Sequence, residues 1–250
     1  MKKEQITDFI KRYHLGGIIE SAAWTFENKG VTTKFRSADK SFMGMVTKEN
    51  FGVDETCQIG ILTTTKLVRL LSILEDEFTF ALNKQIAHDE EKIISIKLSD
   101  TYYDEENFML ADLTVIPKTK GLKAEPDYDL SIKINDKFID SFTKAKGALP
   151  DTKSFAVVKN NKSNKYQVVI GYSSTNSDSI YIPIEYEELE TNNLNRPISF
   201  SADYFKEILA ANKGAETFEF VVSEQGISHI VVKDNEYSID YYLAEVQTDV

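Results

Sequence analysis

The most informative stretch of the chain is Tyr237-Ser238-Ile239-Asp240-Tyr241-Tyr242-Leu243-Ala244-Glu245, because its end repeats an earlier segment. Leu110-Ala111-Asp112 lies 133 positions before Leu243-Ala244-Glu245. The same offset relates Phe9 to Phe142. An offset that is kept from the first predicted helix to the last predicted strand indicates two copies of one domain in the same order.

Composition is typical of a soluble globular protein. The chain has 250 residues, of which 42% are hydrophobic and 28% charged, so two domains of ordinary size can each bury a core. No run of about 18 apolar residues is present, and no apolar run follows the charged segment Met1–Gln5. Cys57 is the single cysteine. We therefore expect a cytoplasmic protein without a signal sequence, a membrane span or a disulfide.

Hydrophobic periodicity predicts a repeated order of elements. Apolar residues at helical spacing predict helices at Lys3–His14, Thr63–Leu74, Asn135–Gly147 and Ser201–Lys213. Alternating β-branched and aromatic residues predict strands near 18–26, 31–37, 41–48, 77–82, 93–99, 106–115, 154–159, 165–172, 179–187, 217–223, 227–233 and 237–246. Each half then reads helix, three strands, helix, three strands. Ser201 is placed to cap the fourth helix, and Gly214 to follow it with a positive φ.

A polar segment separates the two halves. Pro117 and Pro126 frame it, and neither a helical nor a strand period runs through it. Leu122 stands alone there among polar residues. We predict domains at 1–117 and 128–250, joined by a connector at 118–127.

Charge is distributed unevenly along the chain. The net charge of −11 argues against general affinity for nucleic acid. With Lys2 counted in the first of them, the four predicted helices nevertheless carry a net +5, which leaves −16 on the remainder. Basic residues that could face phosphate on these helices are Lys3, Lys11, Arg12, Lys66, Arg69, Lys137, Lys144, Lys146, Lys206 and Lys213. The alternative interpretation is an ordinary solvated helix surface.

Local catalytic or metal-binding motifs are missing from the sequence. The three histidines, at 14, 88 and 229, are far apart, and no phosphate loop, dinucleotide fingerprint or nucleophile elbow occurs. The acidic runs Asp89-Glu90-Glu91 and Asp104-Glu105-Glu106 lack the spacing of a calcium loop. We predict no enzyme activity, no metal and no cofactor. A β-rich enzyme with a site assembled from distant residues stays as a less favoured alternative.

Three segments resemble the DNA sliding clamps. Arg196-Pro197-Ile198-Ser199-Phe200-Ser201-Ala202-Asp203-Tyr204-Phe205-Lys206-Glu207-Ile208-Leu209 is similar to the segment that leads into their last helix. Tyr237–Glu245 resembles the final strand of proliferating cell nuclear antigen (PCNA), and Asn107–Leu113 resembles the strand that closes its first domain. The resemblance covers the whole chain. It departs at Glu245, where the cellular family usually has proline. The layout is closer to replication clamps of large tailed bacteriophages.

The resemblance implies an α+β protein made of two copies of the DNA-clamp domain, with helices on one face of antiparallel sheets. Three chains would close a homotrimeric ring through edge strands at Ser179–Glu187 and Asn107–Leu113. Such a ring would act as a processivity factor with double-stranded DNA, a DNA polymerase and an ATP-using clamp loader as partners, in the host cytoplasm if the chain comes from a bacteriophage. A monomeric DNA-binding processivity subunit is the alternative, and the mass in solution separates the two.

The resemblance also implies a pocket for partner peptides beneath the connector. Leu122, Tyr128, Tyr242 and Ala244 match positions that line it in the family, and Val246 is adjacent. The alternative for Tyr242 and Ala244 is an ordinary role as strand residues.

Overall fold

The computed structural model describes residues 1–87, 90–122, 124–160, 162–173, 178–189 and 194–247. His88 and Asp89 lie outside these ranges. The chain folds as two compact units: unit 1 comprises Met1–Arg36 and Met45–Thr119, and unit 2 comprises Ser37–Gly44 and Lys120–Val250. The segment Ser37–Gly44 of the first repeat thus belongs to unit 2. The domain limits at 117 and 128 stay a prediction.

Unit 1 combines two helices with antiparallel strands. Its elements, in chain order, are α1 (Lys3–His14), β1 (Ala22–Glu27), β2 (Gly30–Arg36), β3 (Phe42–Lys48, which begins in the Ser37–Gly44 segment), β4 (Cys57–Ile61), α2 (Thr64–Ile73), β5 (Thr79–Ala87), β6 (Glu90–Ser99) and β7 (Glu106–Met109). Within this unit the strands follow the orders β3–β2–β1–β4 and β5–β6–β7. In the first, Trp24 of β1 lies opposite Thr33 of β2 and Ile59 of β4.

Aromatic residues join α1 to its sheet. The ring of Phe9 packs edge-on against Trp24 at 5.2 Å and against Phe51 at 5.5 Å. Tyr13, one turn further along α1, contacts Trp24 at 6.1 Å and Phe35 at 6.2 Å. These five rings are buried. Burial of so much apolar surface against one side of α1 leaves its polar residues on the opposite side.

Unit 2 has the same kind of architecture. Its elements are β8 (Leu130–Lys133), α3 (Asp136–Ala148), β9 (Ser154–Asn160), β10 (Lys165–Ile170), β11 (Ile180–Pro183), β12 (Glu185–Glu188), β13 (Ile198–Ser201), α4 (Ala202–Ala211), β14 (Thr217–Ser223), β15 (Ile227–Asp234) and β16 (Tyr237–Ala244). The strand orders are β12–β8–β14–β15–β16 and β11–β10–β9–β13. Pairing within both sheets is antiparallel.

A cluster of phenylalanines forms the core of unit 2. Phe205 of α4 stacks on Phe155 of β9 at 4.7 Å and tilts over Phe220 of β14 at 4.9 Å. Phe142 of α3 meets Phe155 at 5.2 Å and Phe205 at 5.0 Å. Both helices therefore pack against their sheets through aromatic side chains that the 3.6-residue period places on one side.

The predicted fold class is confirmed: the protein is α+β, with helices and antiparallel sheets. All four predicted helices are present, Ser201 accepts a hydrogen bond from the amide of Tyr204 as its cap, and Gly214 has φ +86°. None of the helices in the described ranges is long and apolar enough to cross a membrane.

Several strand predictions are wrong. The predicted strands omit β4, β8 and β13, which alternate apolar and polar or small residues over only four or five positions each, a short signal between longer elements. The predicted strand 179–187 is two strands, because β11 pairs with β10 whereas β12 pairs with β8. The offset between copies also varies: α2 begins at Thr64 and α4 at Ala202, 138 positions apart. Loops of different length around the helices absorb the difference.

Candidate functional site

The helices of unit 1 present unpaired basic residues to solvent. Lys11 of α1 and Lys66 and Arg69 of α2 are exposed, and no ion pair engages them within the described part of the chain. The helices are joined instead by uncharged groups: the Tyr13 hydroxyl lies 3.1 Å from Thr64 Oγ1 in a buried hydrogen bond. The cations of this face are consequently available to an external anion.

The beginning of α2 is held by Glu20. The Thr65 amide donates to the Glu20 carboxylate at 3.1 Å, and Glu20 Oε1 lies 3.3 Å from His14 Nε2. Burial raises the pKa of Glu20, but the hydrogen bonds from Thr65 and His14 outweigh it and hold the pKa below its usual value. A carboxylate at a helix N-terminus also complements the helix dipole. Glu20 therefore has a structural role at the junction of the two helices.

The basic residues of unit 2 are largely engaged by acidic ones. Lys146 is buried, donates to the Pro150 carbonyl at 2.8 Å and pairs with Asp203 at 3.0 Å. Its inclusion among the DNA-facing residues is therefore corrected, because its ammonium is enclosed and already paired. Lys213 pairs with Asp140 at 2.8 Å.

Three other predicted DNA-binding residues of unit 2 have different surroundings. Lys206 pairs with its neighbour Glu207 at 3.6 Å. Lys137 and Lys144 are exposed on α3. In unit 1, Lys3 and Arg12 are half-buried on α1. The assignment of these residues to DNA contact stays a prediction.

Two predicted peptide-binding residues come together around a histidine. His229 of β15 stacks on Tyr242 of β16 with ring centroids 4.3 Å apart, and it lies 6.1 Å from the ring of Tyr128. His229 Nε2 lies 2.8 Å from Asp240 Oδ1. The Tyr242 hydroxyl donates to Glu125 Oε1 at 2.9 Å, which ties the predicted connector to the last strand.

Both tyrosines of this cluster remain protonated at neutral pH. Burial, together with the nearby carboxylates of Glu125 and Asp240, raises the pKa of Tyr128 to about 12. The pKa of Tyr242 is raised further, first by burial and then by its hydrogen bond to Glu125. Tyr242 is therefore a stable hydrogen-bond donor toward the connector.

The sequence reading missed His229, Asp240 and Glu125 as members of this cluster. A signal existed for two of them. His229 lies directly opposite Tyr242 in the register of the β15–β16 hairpin, and Asp240 is two positions before Tyr242 on the same side of β16. Glu125 gives no such signal, because a loop residue has no period.

The remaining predicted peptide-binding residues are less closely grouped. Leu122 is half-buried in the connector, and its assignment to the pocket stays a prediction. Ala244 is exposed at the end of β16, and its amide donates to the carbonyl of Ser41 at 2.8 Å. Val246 is half-buried, with its amide 2.9 Å from the carbonyl of Ser199.

Val246 lines a cleft of about 430 Å³ in unit 2. Asp39 on its wall accepts hydrogen bonds from Ser37, from the Ser41 hydroxyl at 2.7 Å and from the Tyr204 hydroxyl at 3.1 Å. Burial raises the pKa of Asp39, but these donors outweigh it and lower the pKa below its usual value. The carboxylate thus orders the Ser37–Gly44 segment beside the end of β16.

An ion pair holds the position where the resembling family usually has proline. The Arg196 guanidinium binds both carboxylate oxygens of Glu245, one of them at 2.8 Å, and donates to the Glu224 carbonyl at 3.0 Å. A bidentate pair restricts the backbone after β16 in place of a proline ring.

Each unit contains a strand with an open edge and an exposed large side chain. Among the described residues, β7 pairs along its length only with β6, and β11 only with β10. Met109 on β7 is 60% exposed, and Tyr181 on β11 is 57% exposed. Open strand edges are templates for pairing with another chain. In the described ranges, no group of three His, Cys, Asp or Glu is close enough to hold a metal ion.

Two units, each with antiparallel strands and a pair of helices, define the DNA-clamp fold. The structure of A. fulgidus PCNA with the C-terminal region of FEN-1 bound matches with a TM-score of 0.70 and 16% identity, over 100% of this chain and 98% of that one. PCNA from Entamoeba histolytica matches with a TM-score of 0.68 and 14% identity, over 98% of this chain and 96% of that one. The PCNA2–PCNA3 complex from Sulfolobus tokodaii matches with a TM-score of 0.68 and 13% identity, over 98% of this chain and 97% of that one. No family model and no curated protein matches the chain. The chain therefore has the fold of the PCNA sliding clamps.

Proposed function

We propose that this protein is a sliding clamp: a homotrimeric ring that encircles duplex DNA and tethers a DNA polymerase and other replication proteins. The observation that carries the proposal is the full-length match to PCNA structures, which covers both units in the same chain order. A ring need not bind DNA tightly, because salt-dependent contacts to phosphates carry no sequence information and permit sliding.

Ring closure would use the two open strand edges. If β7 of one chain pairs with β11 of the next, the contact is head-to-tail, and three chains with two units each close a ring of six. The pairing would also cover Met109 and Tyr181, which are exposed in the single chain. Burial of these side chains adds to the backbone hydrogen bonds of the new strand pair.

The helices would line the hole. Their exposed basic residues Lys11, Lys66, Arg69, Lys137 and Lys144, together with the half-buried Lys3 and Arg12, would meet the phosphates, while the acidic remainder of the chain repels DNA elsewhere. DNA polymerisation would belong to the partner enzyme, and a separate ATP-using loader would open the ring. The clamp itself would be neither an enzyme nor a cofactor-binding protein.

Partners would bind beside the connector. One neighbour is a PCNA with the C-terminal region of FEN-1 bound, which supports a peptide-binding role for the corresponding surface here. Leu122, Tyr128, Tyr242, Ala244 and Val246 are the residues that we assign to it. The layout of a bacteriophage clamp stays a prediction.

Light scattering coupled to gel filtration tests the ring. We expect three times the 28.4 kDa of one chain at micromolar concentration. A mass of one chain would favour the alternative, a monomeric clamp-fold subunit that holds DNA on an open basic face. The β-rich enzyme would require a bound metal or turnover of a substrate, and metal analysis with an activity screen addresses it.

A further inference from the structure

The helix pairs of the two units differ in charge. In unit 1, α1 has three basic and two acidic residues and α2 has two basic and no acidic residues, so the pair carries +3. In unit 2, α3 has three basic and two acidic residues and α4 has one basic and two acidic residues, so the pair carries no net charge. All the net positive charge of the four helices therefore lies in unit 1.

Equivalent positions of the repeat show where the difference arises. The outer face of α1 carries Lys3, Thr7 and Lys11. The positions 133 residues later on α3 are Asp136, Asp140 and Lys144. The buried side is kept, since Phe9 and Phe142 are both fully buried. The outer face differs between α1 and α3, because two acidic residues of α3 stand where α1 has a lysine and a threonine.

The way each helix pair is joined removes further cations from unit 2. In unit 1, the Tyr13 hydroxyl forms a hydrogen bond with the Thr64 hydroxyl. The equivalent of Tyr13 in unit 2 is Lys146, whose ammonium forms an ion pair with Asp203. At the other end of α4, Lys213 pairs with Asp140. The second unit thus uses lysines for internal contacts where the first uses neutral groups.

We infer that each chain holds DNA mainly through the helices of unit 1, so that the proposed ring presents three strongly basic sectors separated by three nearly neutral ones. This inference rests on the proposed function. At a neutral sector the phosphates keep their counterions, because only phosphates that the protein neutralises release them. Contact with DNA would then alternate around the ring.

Two matched substitutions test the inference. Lys11→Glu and Lys144→Glu change equivalent positions by the same charge, on helices of the same type. Duplex affinity is measured by fluorescence anisotropy from about 50 to 200 mM salt, and the slope of log affinity against log salt reports the number of phosphate contacts. Gel-filtration mass and thermal melts verify that each variant folds and assembles.

We expect Lys11→Glu to weaken affinity about tenfold or more, since a ring carries the change three times, and to flatten the salt slope. Lys144→Glu should weaken it by about threefold or less, because its face of α3 also carries Asp136 and Asp140 and the helices of unit 2 have no net positive charge. A third variant, Asp140→Thr, introduces the residue that α1 has at the equivalent position, Thr7, and removes the ion-pair partner of Lys213. It should raise both affinity and slope.

The outcomes separate the inference from the proposed function. Equal losses for Lys11→Glu and Lys144→Glu would overturn the inference and leave the clamp proposal standing. A larger loss for Lys144→Glu would overturn it as well. Unchanged affinity for Lys11→Glu and for the triple variant Lys11→Glu, Lys66→Glu, Arg69→Glu would overturn both, because the helices would then not face DNA.

Discussion

Tyr242→Phe should loosen the connector without unfolding the protein. The substitution removes one hydroxyl, which donates to Glu125 at 2.9 Å, and leaves the ring stacked on His229. The hydrogen bond is the side-chain contact by which β16 holds this part of the connector. Its loss should therefore appear in the mobility of the connector before it appears in global stability.

The size of the effect follows from the surroundings of the bond. A hydrogen bond to a charged acceptor contributes about 1.5–3 kcal/mol when it is buried. Glu125 is exposed, so water replaces much of the lost interaction, and we expect about 1 kcal/mol. That free energy corresponds to about a fivefold change in the opening equilibrium.

Hydrogen exchange followed by mass spectrometry measures this change. Amides at Gly121, Ala124 and Glu125 should exchange about fivefold faster in Tyr242→Phe, whereas amides of β15 and β16 keep their protection. Tyr102→Phe is the matched control, since its side chain is 77% exposed. Unchanged exchange in the connector would refute this role of the hydroxyl. Equal loss of protection across β16 would also refute it, because the hydroxyl would then support the sheet and not the connector.

Three further predictions test the pocket, the core and the electrostatics of unit 2. Leu122→Ala with Tyr128→Ala should weaken binding of short peptides with apolar and aromatic anchors by about 2 kcal/mol or more in a calorimetric titration, with the mass of the assembly unchanged. Phe205→Ala should cost about 3–5 kcal/mol in urea unfolding, since it empties the centre of the phenylalanine cluster. The lowered pKa of Asp39 stabilises the fold above about pH 4, and this contribution is lost as pH falls through the folded pKa. Asp39→Asn should therefore destabilise the protein at pH 7 and lose its effect in acid, as a series of melts at different pH would show.

Local signals in the sequence identify the parts of the fold that depend on local physics. The spacing of Phe9 and Tyr13 marks the buried side of α1, Ser201 marks the beginning of α4, and Gly214 marks the turn after it. Each of these depends on residues within a few positions. The repeat extends the same reasoning to the second copy, because equivalent residues meet equivalent partners.

Features that depend on partners far away in the sequence cannot be predicted from such local signals. Residues 57–61 become β4 because β1 lies beside them, and the alternation of Cys57, Ile59 and Ile61 with Gln58 and Gly60 is only a short local signal. Lys146 gives the signal of an exposed lysine, yet Asp203, far along the chain, encloses it in an ion pair. The Tyr128 and Tyr242 positions follow from family resemblance, but the His229 ring between them follows only from strand register.

Threading onto DNA tests the central proposal most directly. Protein is incubated with a linear duplex tethered at one end, the free end is then blocked with streptavidin, and the sample is washed at about 1 M salt, where the Debye length is only about 3 Å. An encircling ring should remain on this DNA because the link is topological, and none should remain when the end is blocked before the protein is added. Equal loss in both orders of addition would contradict encirclement and leave only a salt-sensitive contact with an open basic face.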